Sequence, residues 1–518
     1  MERVRHQHPE GAPRAPSGKG NRVESNTSAA SLRMAQWVGA LSPGHIPAAV
    51  RQAAVSCILD TVGVAVAGSL TPPATAALSL CAAAPGAAAP GAGSTVLAGL
   101  VRPKTAGRAP SGTAATAHAA PQQAAFANAV AAHALDFDDN CYAGFVHGSA
   151  VIVPALLACA QAVGANGAQA VTALVAGAEC EYAVGAATRG LLYDQGWWTT
   201  GVLGPIGAAM AVCKLLDLDA PRIAHALALA VGMAAGTKSC FGSDAKPLMA
   251  GKASEAGVQA ALLAQAGACG PADPFGHGHG FAARYNQGVL DIAALEMGSG
   301  RWYLLDPGLD VKRIPVCLSS HAAVDALRAL IVRHGLRPGD VASVVCDVPP
   351  IVAANLCHDM PDTPAQARFS MPFAIAMTLL EPEWGLAALA PGPLARADLR
   401  EAMRRVRMET GPSWHDPARR RDAPEGAIVR VERHDGTVLR GERDKAIGSP
   451  GDPLSPAQSS RKFLDCTAGV IGEPAATRLL AQLRDLDGPM PVQALFDTLA
   501  AASSVPAADT RPDDTRPE

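Results

Sequence analysis

Residues 119–163 read AAPQQAAFANAVAAHALDFDDNCYAGFVHGSAVIVPALLACAQAV. Two Ala-rich runs, Ala119–Leu135 and Ala150–Val163, have helical composition and flank a polar knot, His133-Ala-Leu-Asp136-Phe-Asp138-Asp139, with His147 just beyond it. From Cys141 to Ala178 there is no Asp, Glu, Lys or Arg. About twenty apolar residues suffice for a bilayer span. This stretch, however, carries His147, Ser149, Pro154, Gln161, Asn166 and Gln169 and is punctuated by Gly164, Gly167 and Gly177. It reads as two buried helices joined by a turn at Gly164-Ala-Asn-Gly167.

Working outward, the pattern stays helical. Val50, Ala54, Cys57, Ile58 and Thr61 recur at the spacing of a buried helix face, with Pro47 where a first turn tolerates it. Further helical runs span Ala168–Gly190, Gly204–Leu216, Ile223–Ala235 and Lys252–Gly267, while Thr71–Ser111 reads as a loop holding a short strand at Thr95–Leu97. Composition then changes. Gly270–Gly300 is rich in Gly and His, and β-branched runs follow at Val341–Val348 and Ala427–Glu432, the latter ahead of an Asp435-Gly436 hairpin signal. Ala323–Gly335, Pro372–Leu380, Ser460–Leu486 and Val492–Ala502 are again helical. The expected layout is a large all-helical domain formed by 31–308 and 450–502, with an inserted α+β lid at 309–449. Polar tails at 1–30 and 503–518 are expected to be disordered.

The 518 residues are 49% hydrophobic and 17% charged, with a net charge of −3. Neither nucleic acid nor an anionic membrane is suggested by that balance. Among twelve cysteines there is no CxxC pair, so the expectation is reduced, buried thiols in a cytoplasmic protein.

Four clusters could carry chemistry. His133 and Asp136 share a helix face, and three acids in four residues are costly to desolvate unless paired, liganded or exposed. Lys246 lies just ahead of the expected helix, where its charge opposes the helix dipole unless an anion sits there too. His277 and His279 alternate with glycines. Lys312, Arg313 and His321 fall at the junction of the helical and α+β parts, where ligand clefts form. The residues alone give an anion-binding cleft with His and Asp available for proton transfer.

The segments AAVRQAAVSCILDTVGVAVAGS (48–69), FANAVAAHALDFDD with HGSAVIVPALLA (126–158), SDAKPLMAGKASEAGVQAALLA (243–264), KRIPVCLSSHAAVDAL (312–327), ARFSMPFAIAMTLL (367–380) and GDPLSPAQSSRKF (451–463) resemble, in order, those of the MmgE/PrpD family. The family includes 2-methylcitrate dehydratase, cis-aconitate decarboxylase and iminodisuccinate epimerase. The resemblance implies the two-domain fold above, a cleft between domains, a homodimer, no metal or organic cofactor, and a small carboxylate substrate. It also implies Asp136, His147, Lys246 and Lys312 as catalytic, with Asn140, Trp198 and Met249 near the substrate; His277, Arg313 and His321 join them as substrate-binding candidates from the clusters above. Lysines would hold carboxylates, His147 would move a proton and Asp136 would orient the site. There are departures: Asn140 stands where decarboxylases look to carry Thr, and Trp198 and Met249 stand where His is common. Either the substrate is less polar or part of the acid–base set is gone. Dehydration of a 2-methylcitrate-like hydroxy acid is the default expectation, with decarboxylation, epimerisation, or ligand binding with little catalysis as alternatives. A metal-dependent hydrolase built on His133, Asp136 and His277 is a more distant one.

Overall fold

A computed structural model describes residues 20–82, 94–97 and 118–503. The longer helices of its first part are α1 (Gly20–Ala40), α2 (Ala48–Gly68), α3 (Pro72–Ala82), α4 (Pro121–His133), α5 (Gly148–Val163), α6 (Gly167–Ala187), α7 (Thr199–Leu215), α8 (Ala220–Gly232) and α9 (Ala245–Gln265). Helices α2, α5, α6 and α7 are apolar over most of their surface and largely buried, as suits helices surrounded by other helices. Ala and Gly let their backbones approach closely: a Cβ on Gly68 would lie 2.0 Å from the carbonyl oxygen of Ala131 on α4. Helices α2 and α6 are long and apolar enough to cross a bilayer, yet 72% and 94% of those windows are buried within the protein. The turn expected at Gly164–Gly167 is present. Gly164 adopts φ +67° at the end of α5, and Asn166 and Gln169 form a capping box that starts α6.

Past Lys312 the chain forms α10 (His321–His334), α11 (Met371–Leu380) and α12 (Ala397–Arg404) around a small sheet. Two short strands, β1 (Ser94–Thr95) and β2 (His118–Ala119), pair in the helical part, so β3 (Val341–Asp347), β4 (Val406–Glu409), β5 (Ala427–Arg433) and β6 (Val438–Arg443) make this sheet, in the order β4-β3-β5-β6. Strands β3 and β4 run parallel and the other neighbours antiparallel. The β5–β6 hairpin turns at Gly436, where φ is +82°. The chain then returns as α13 (Pro456–Ile471), α14 (Glu473–Arg484) and α15 (Gln493–Ser503). One hydrophobic core draws on residues 30–304 and 463–499, and a second on 314–431.

Three expectations shift. Helix α1 starts at Gly20, inside the stretch expected to be a tail, and Thr27 is buried with its hydroxyl donated to Asp273 (2.6 Å). Helix α3 occupies part of the expected loop at 71–111; the rest of that loop, other than 94–97, and both outer tails lie outside the described residues. Helix α9 begins at Ala245, so Lys246 is within its first turn rather than ahead of it. Gly251, expected at the start of this helix, lies inside it and packs directly on Phe126 and Val130 of α4.

Candidate active site

Asp136 follows α4 with φ at +50°, a left-handed conformation that Asp tolerates better than most residues. That turn sends its carboxylate into the interior, where two ammonium groups meet it. Lys246 Nζ lies 2.5 Å from Oδ1, and Lys312 Nζ lies 3.2 Å from Oδ2 and donates to the Asp136 carbonyl at 2.7 Å. All three side chains are buried. Burial alone would raise the Asp136 pKa, but Lys246 and Lys312 outweigh it and hold the carboxyl well below the usual range. The same pairing helps keep Lys312 charged: burial works against its ammonium, and Asp136, together with Asp138 and Cys317, more than offsets it, so its pKa rises. The position of Lys246 at a helix N-terminus is thereby explained, since the anion that offsets the dipole is Asp136. Phe241 and Phe369 flank the Lys246 ammonium at 5.1 and 4.9 Å.

His147 caps the start of α5. Its Nδ1 lies 2.9 Å from the Asp139 carbonyl and 3.1 Å from Asp138 Oδ2. A carbonyl can only accept, so Nδ1 carries the hydrogen and Nε2 is left with its lone pair for proton transfer. Asp138 accepts from His133 Nδ1 as well (2.9 Å), and the two imidazoles pack with centroids 4.7 Å apart. Burial pushes His133 down to about 4, so it is neutral near pH 7. Burial opposes ionisation of Asp138, yet the two imidazoles beside it bring its pKa well below the ordinary value. Trp198 covers the other side of His133 at 5.4 Å. Behind this layer Asp139 accepts from Ser149 (2.6 Å), and burial pushes its pKa up to about 7.

His133, Asp138 and His147 offer donor atoms within 4.8 Å of one another, a spacing open to a small cation. The chemistry of the set argues for hydrogen bonding instead. Both Nδ1 atoms face the same Asp138 oxygen, and the His147 one carries a hydrogen. His277 is exposed beside Asp273 and Arg284 on another face, so the set His133, Asp136 and His277 is not assembled.

A cavity of about 40 Å³ adjoins these groups, lined by Asn140, His147, Trp198, Lys246 and Lys312 together with Phe145, Tyr193, Phe241, Cys317, Leu318, Asn355, Phe369 and Glu425. Asn140 is fixed there by a backbone pair with Asp310 (3.0 and 2.8 Å). Four of the expected substrate neighbours are elsewhere. Met249 packs against Gly236 in the helical core. His277 lines a separate surface groove. Arg313 turns toward α10 and pairs with Asp325 (2.6 Å), and His321, wholly buried, meets the Val316 carbonyl at 3.2 Å. Charge and position at a domain junction suggested the last two, but an acid on the neighbouring helix supplied Arg313 with its partner.

Asp138, named in the sequence only as one acid of the polar knot, bridges two histidines; its five-residue spacing from His133 was the available signal. Two further residues carry no such signal. Lys462 of α13 pairs with Asp60 of α2 (2.7 Å) and donates to the Phe137 carbonyl (2.8 Å). Glu425, from the loop ahead of β5, accepts from Tyr142 and Ser319 at the cavity wall. Separations of 402 and 283 residues leave no local trace.

The family model for the MmgE/PrpD N-terminal domain matches residues 32–291, and that for the C-terminal domain matches 314–487. Cis-aconitate decarboxylase of Mus musculus is 27% identical over 360 residues, covering 66% of this chain and 71% of the relative. The Homo sapiens protein of that name is 26% identical over 384 residues, covering 71% and 77%. The one from Aspergillus terreus is 29% identical over 154 residues, covering 28% and 31%.

Proposed function

This chain belongs to the MmgE/PrpD family, and from that premise we propose that it is a lyase that moves a proton at the carbon α to a carboxylate of a small substrate. The observation that carries this reading is the meeting of Asp136, Lys246 and Lys312 beside His147, whose Nδ1 hydrogen is tied down. His147 Nε2 takes the α-proton. Negative charge then develops on the substrate carboxylate, and the ammonium edge formed by Lys246 and Lys312, already in place and largely desolvated, stabilises it. In a hydroxy acid the C–H electron pair becomes the new C=C bond, the C–O bond breaks, and the hydroxyl leaves as water with a proton from the ammonium edge. Asp136 is a positioning residue: it fixes both lysines.

Dehydration is the leading reaction. Decarboxylation is the second reading, favoured by the names of the relatives; there a carboxylate leaves as CO₂ and the same groups deliver a proton to the carbanion. A homodimer in the cytoplasm, without metal or organic cofactor, forms part of the proposal. The test is proton NMR of the purified protein in D₂O with hydroxy-, unsaturated and amino di- and tricarboxylates. Deuterium at one α-carbon with an unsaturated product supports dehydration, and CO₂ release supports decarboxylation. No exchange on any compound, or His147→Ala retaining activity within a few-fold, would overturn the assignment.

A further inference from the structure

The same cavity is lined by Tyr193, Asn355 and Glu425, which belong to a chain of hydrogen bonds with one direction. Tyr193 donates to Asn355 Oδ1 (2.9 Å), Asn355 Nδ2 donates to Ser319 Oγ (3.1 Å), and Ser319 Oγ donates to Glu425 Oε1. Tyr142 donates to the other carboxylate oxygen, Oε2. The hydroxyl hydrogens of Tyr193, Ser319 and Tyr142 are all spent within this chain, so toward the cavity it leaves the Tyr193 oxygen and the Glu425 carboxylate as acceptors, beside the amides of Asn140 and Asn355. Tyr142 and Tyr193 come from the helical part, and Ser319, Asn355 and Glu425 from beyond Lys312, so the wall is assembled across the junction.

Glu425 also stands between two spaces. With Leu318 it lines both the inner cavity and an outer one of about 130 Å³, whose walls hold Asp310, Asp422 and Asp444 against Arg421 and Lys445. A substrate too long for the inner cavity meets Glu425 first and an acid-rich chamber after it. Arg421 is paired there with Asp422 (3.1 Å), and the acids lining the chamber outnumber its two cations, whereas the inner cavity holds the two lysines.

We propose that Glu425 determines the substrate class: a carboxylate acid whose far end presents a hydrogen-bond donor, a hydroxyl or an ammonium, rather than a further carboxylate. This rests on the proton-transfer reading above for the identity of the clamped end. It turns the lost polarity at Trp198 into part of one pattern, in which the site is selective against highly charged polycarboxylates. Like charges set face to face act mainly as a discriminating device, rejecting the wrong ligand.

The experiment is calorimetric binding to the full-length protein of four probes: 4-hydroxybutyrate, 4-aminobutyrate, succinate and propane-1,2,3-tricarboxylate. The wild-type protein is expected to bind 4-hydroxybutyrate or 4-aminobutyrate at least tenfold more tightly than the tricarboxylate. The hydroxy against the amino acid tells hydroxyl from ammonium, and succinate, with a carboxylate in the same place, reports the value of the donor. Glu425→Gln is expected to narrow the ratio at least tenfold, chiefly by tightening the tricarboxylate, while Tyr142→Phe, which loosens the wall without removing charge, shifts all four alike. A tricarboxylate bound as tightly as the best donor-bearing probe overturns the proposal, as does an unchanged ratio in Glu425→Gln. Should that variant fail to fold, the wild-type ratio still decides. The same four compounds, followed for α-exchange in D₂O, separate the two ideas. A binding preference without exchange removes proton transfer and keeps Glu425, exchange without preference does the reverse, and no binding by any probe removes both.

Discussion

Asp136 shows how one side chain organises a site. It is the single anion between two ammoniums, and its left-handed backbone is held because Lys312 also bonds its carbonyl. Asp136→Asn keeps the shape and removes the charge, leaving two buried cations without a counter-ion. Breaking a buried pair on one side costs about 3–5 kcal/mol. Urea unfolding of Asp136→Asn is therefore expected to show a loss of that order, with kcat lowered at least ~100-fold because the clamp loses its geometry. Asp136→Asn with Lys246→Met is expected to regain much of the stability and none of the activity. Equal stability of Asp136→Asn and wild type would refute the pairing as a structural element. His133, Asp136, His147 and the two lysines were legible because polar residues in an apolar, Ala-rich setting stand out, and because their segments carry the family resemblance. Arg313 and His321 were misread for the same reason. Charge near a junction says a partner exists, and only the fold reveals that for Arg313 it is Asp325 rather than substrate.

At the scale of elements, α6 is the informative helix. Its start was readable from Gly164 to Gln169, since caps are local. Glu179 and Glu181, read as part of an ordinary helix, are both buried. Glu179 accepts from the backbone N–H groups of Tyr303 and Leu304 (2.8 and 2.9 Å), more than 120 residues onward, which sequence spacing does not announce. Glu181 lies against α7 where only glycine leaves room: a Cβ on Gly207 would fall 2.3 Å from its Oε2. Neither of its carboxylate oxygens meets a hydrogen-bond partner among the described residues, and burial, with Asp139 adding to it, pushes its pKa up to about 8. The sign follows from proton counting. Between the unfolded value near 4.5 and about 8, the folded state holds a proton that the unfolded state has lost, so stability falls as pH rises through that window. For Glu181 alone the decline is on the order of 5 kcal/mol across the whole window. Urea titrations at pH 5.5 and 8 are expected to show a smaller fall for Glu181→Gln than for wild type, with the variant the more stable at pH 8. Parallel profiles would mean that Glu181 is solvated or paired.

For the molecule as a whole, the question is why a chain with two cores places its site on the first while drawing on both. Consecutive carbonyls answer it: that of Asp136 accepts from Lys312 at the junction, and that of Phe137 from Lys462 in the returning helix α13. The site loop is clamped by segments 176 and 325 residues downstream, one at the start of the second core and one in the returning helix. Helical composition at both ends and strands between them made this return readable. The lysine that performs it was not, because Lys462 sits in an ordinary polar helix start, Ser455–Arg461, and its partner Asp60 lies in an apolar one. Two roles can be separated at Lys462. Its charge offsets Asp60, whose pKa burial raises in spite of it, and its N–H holds the Phe137 carbonyl. Lys462→Met removes both and is expected to cost about 3–5 kcal/mol in urea unfolding, as an uncompensated buried charge does. Asp60→Asn with Lys462→Met removes the stranded charge and is expected to recover most of that loss. The carbonyl remains unheld in the double variant, so kcat is expected to stay at least tenfold below wild type while unfolding midpoints converge. If activity returns together with stability, the returning helix serves the fold alone, and the loop that carries Asp136 and Asp138 needs nothing from the end of the chain.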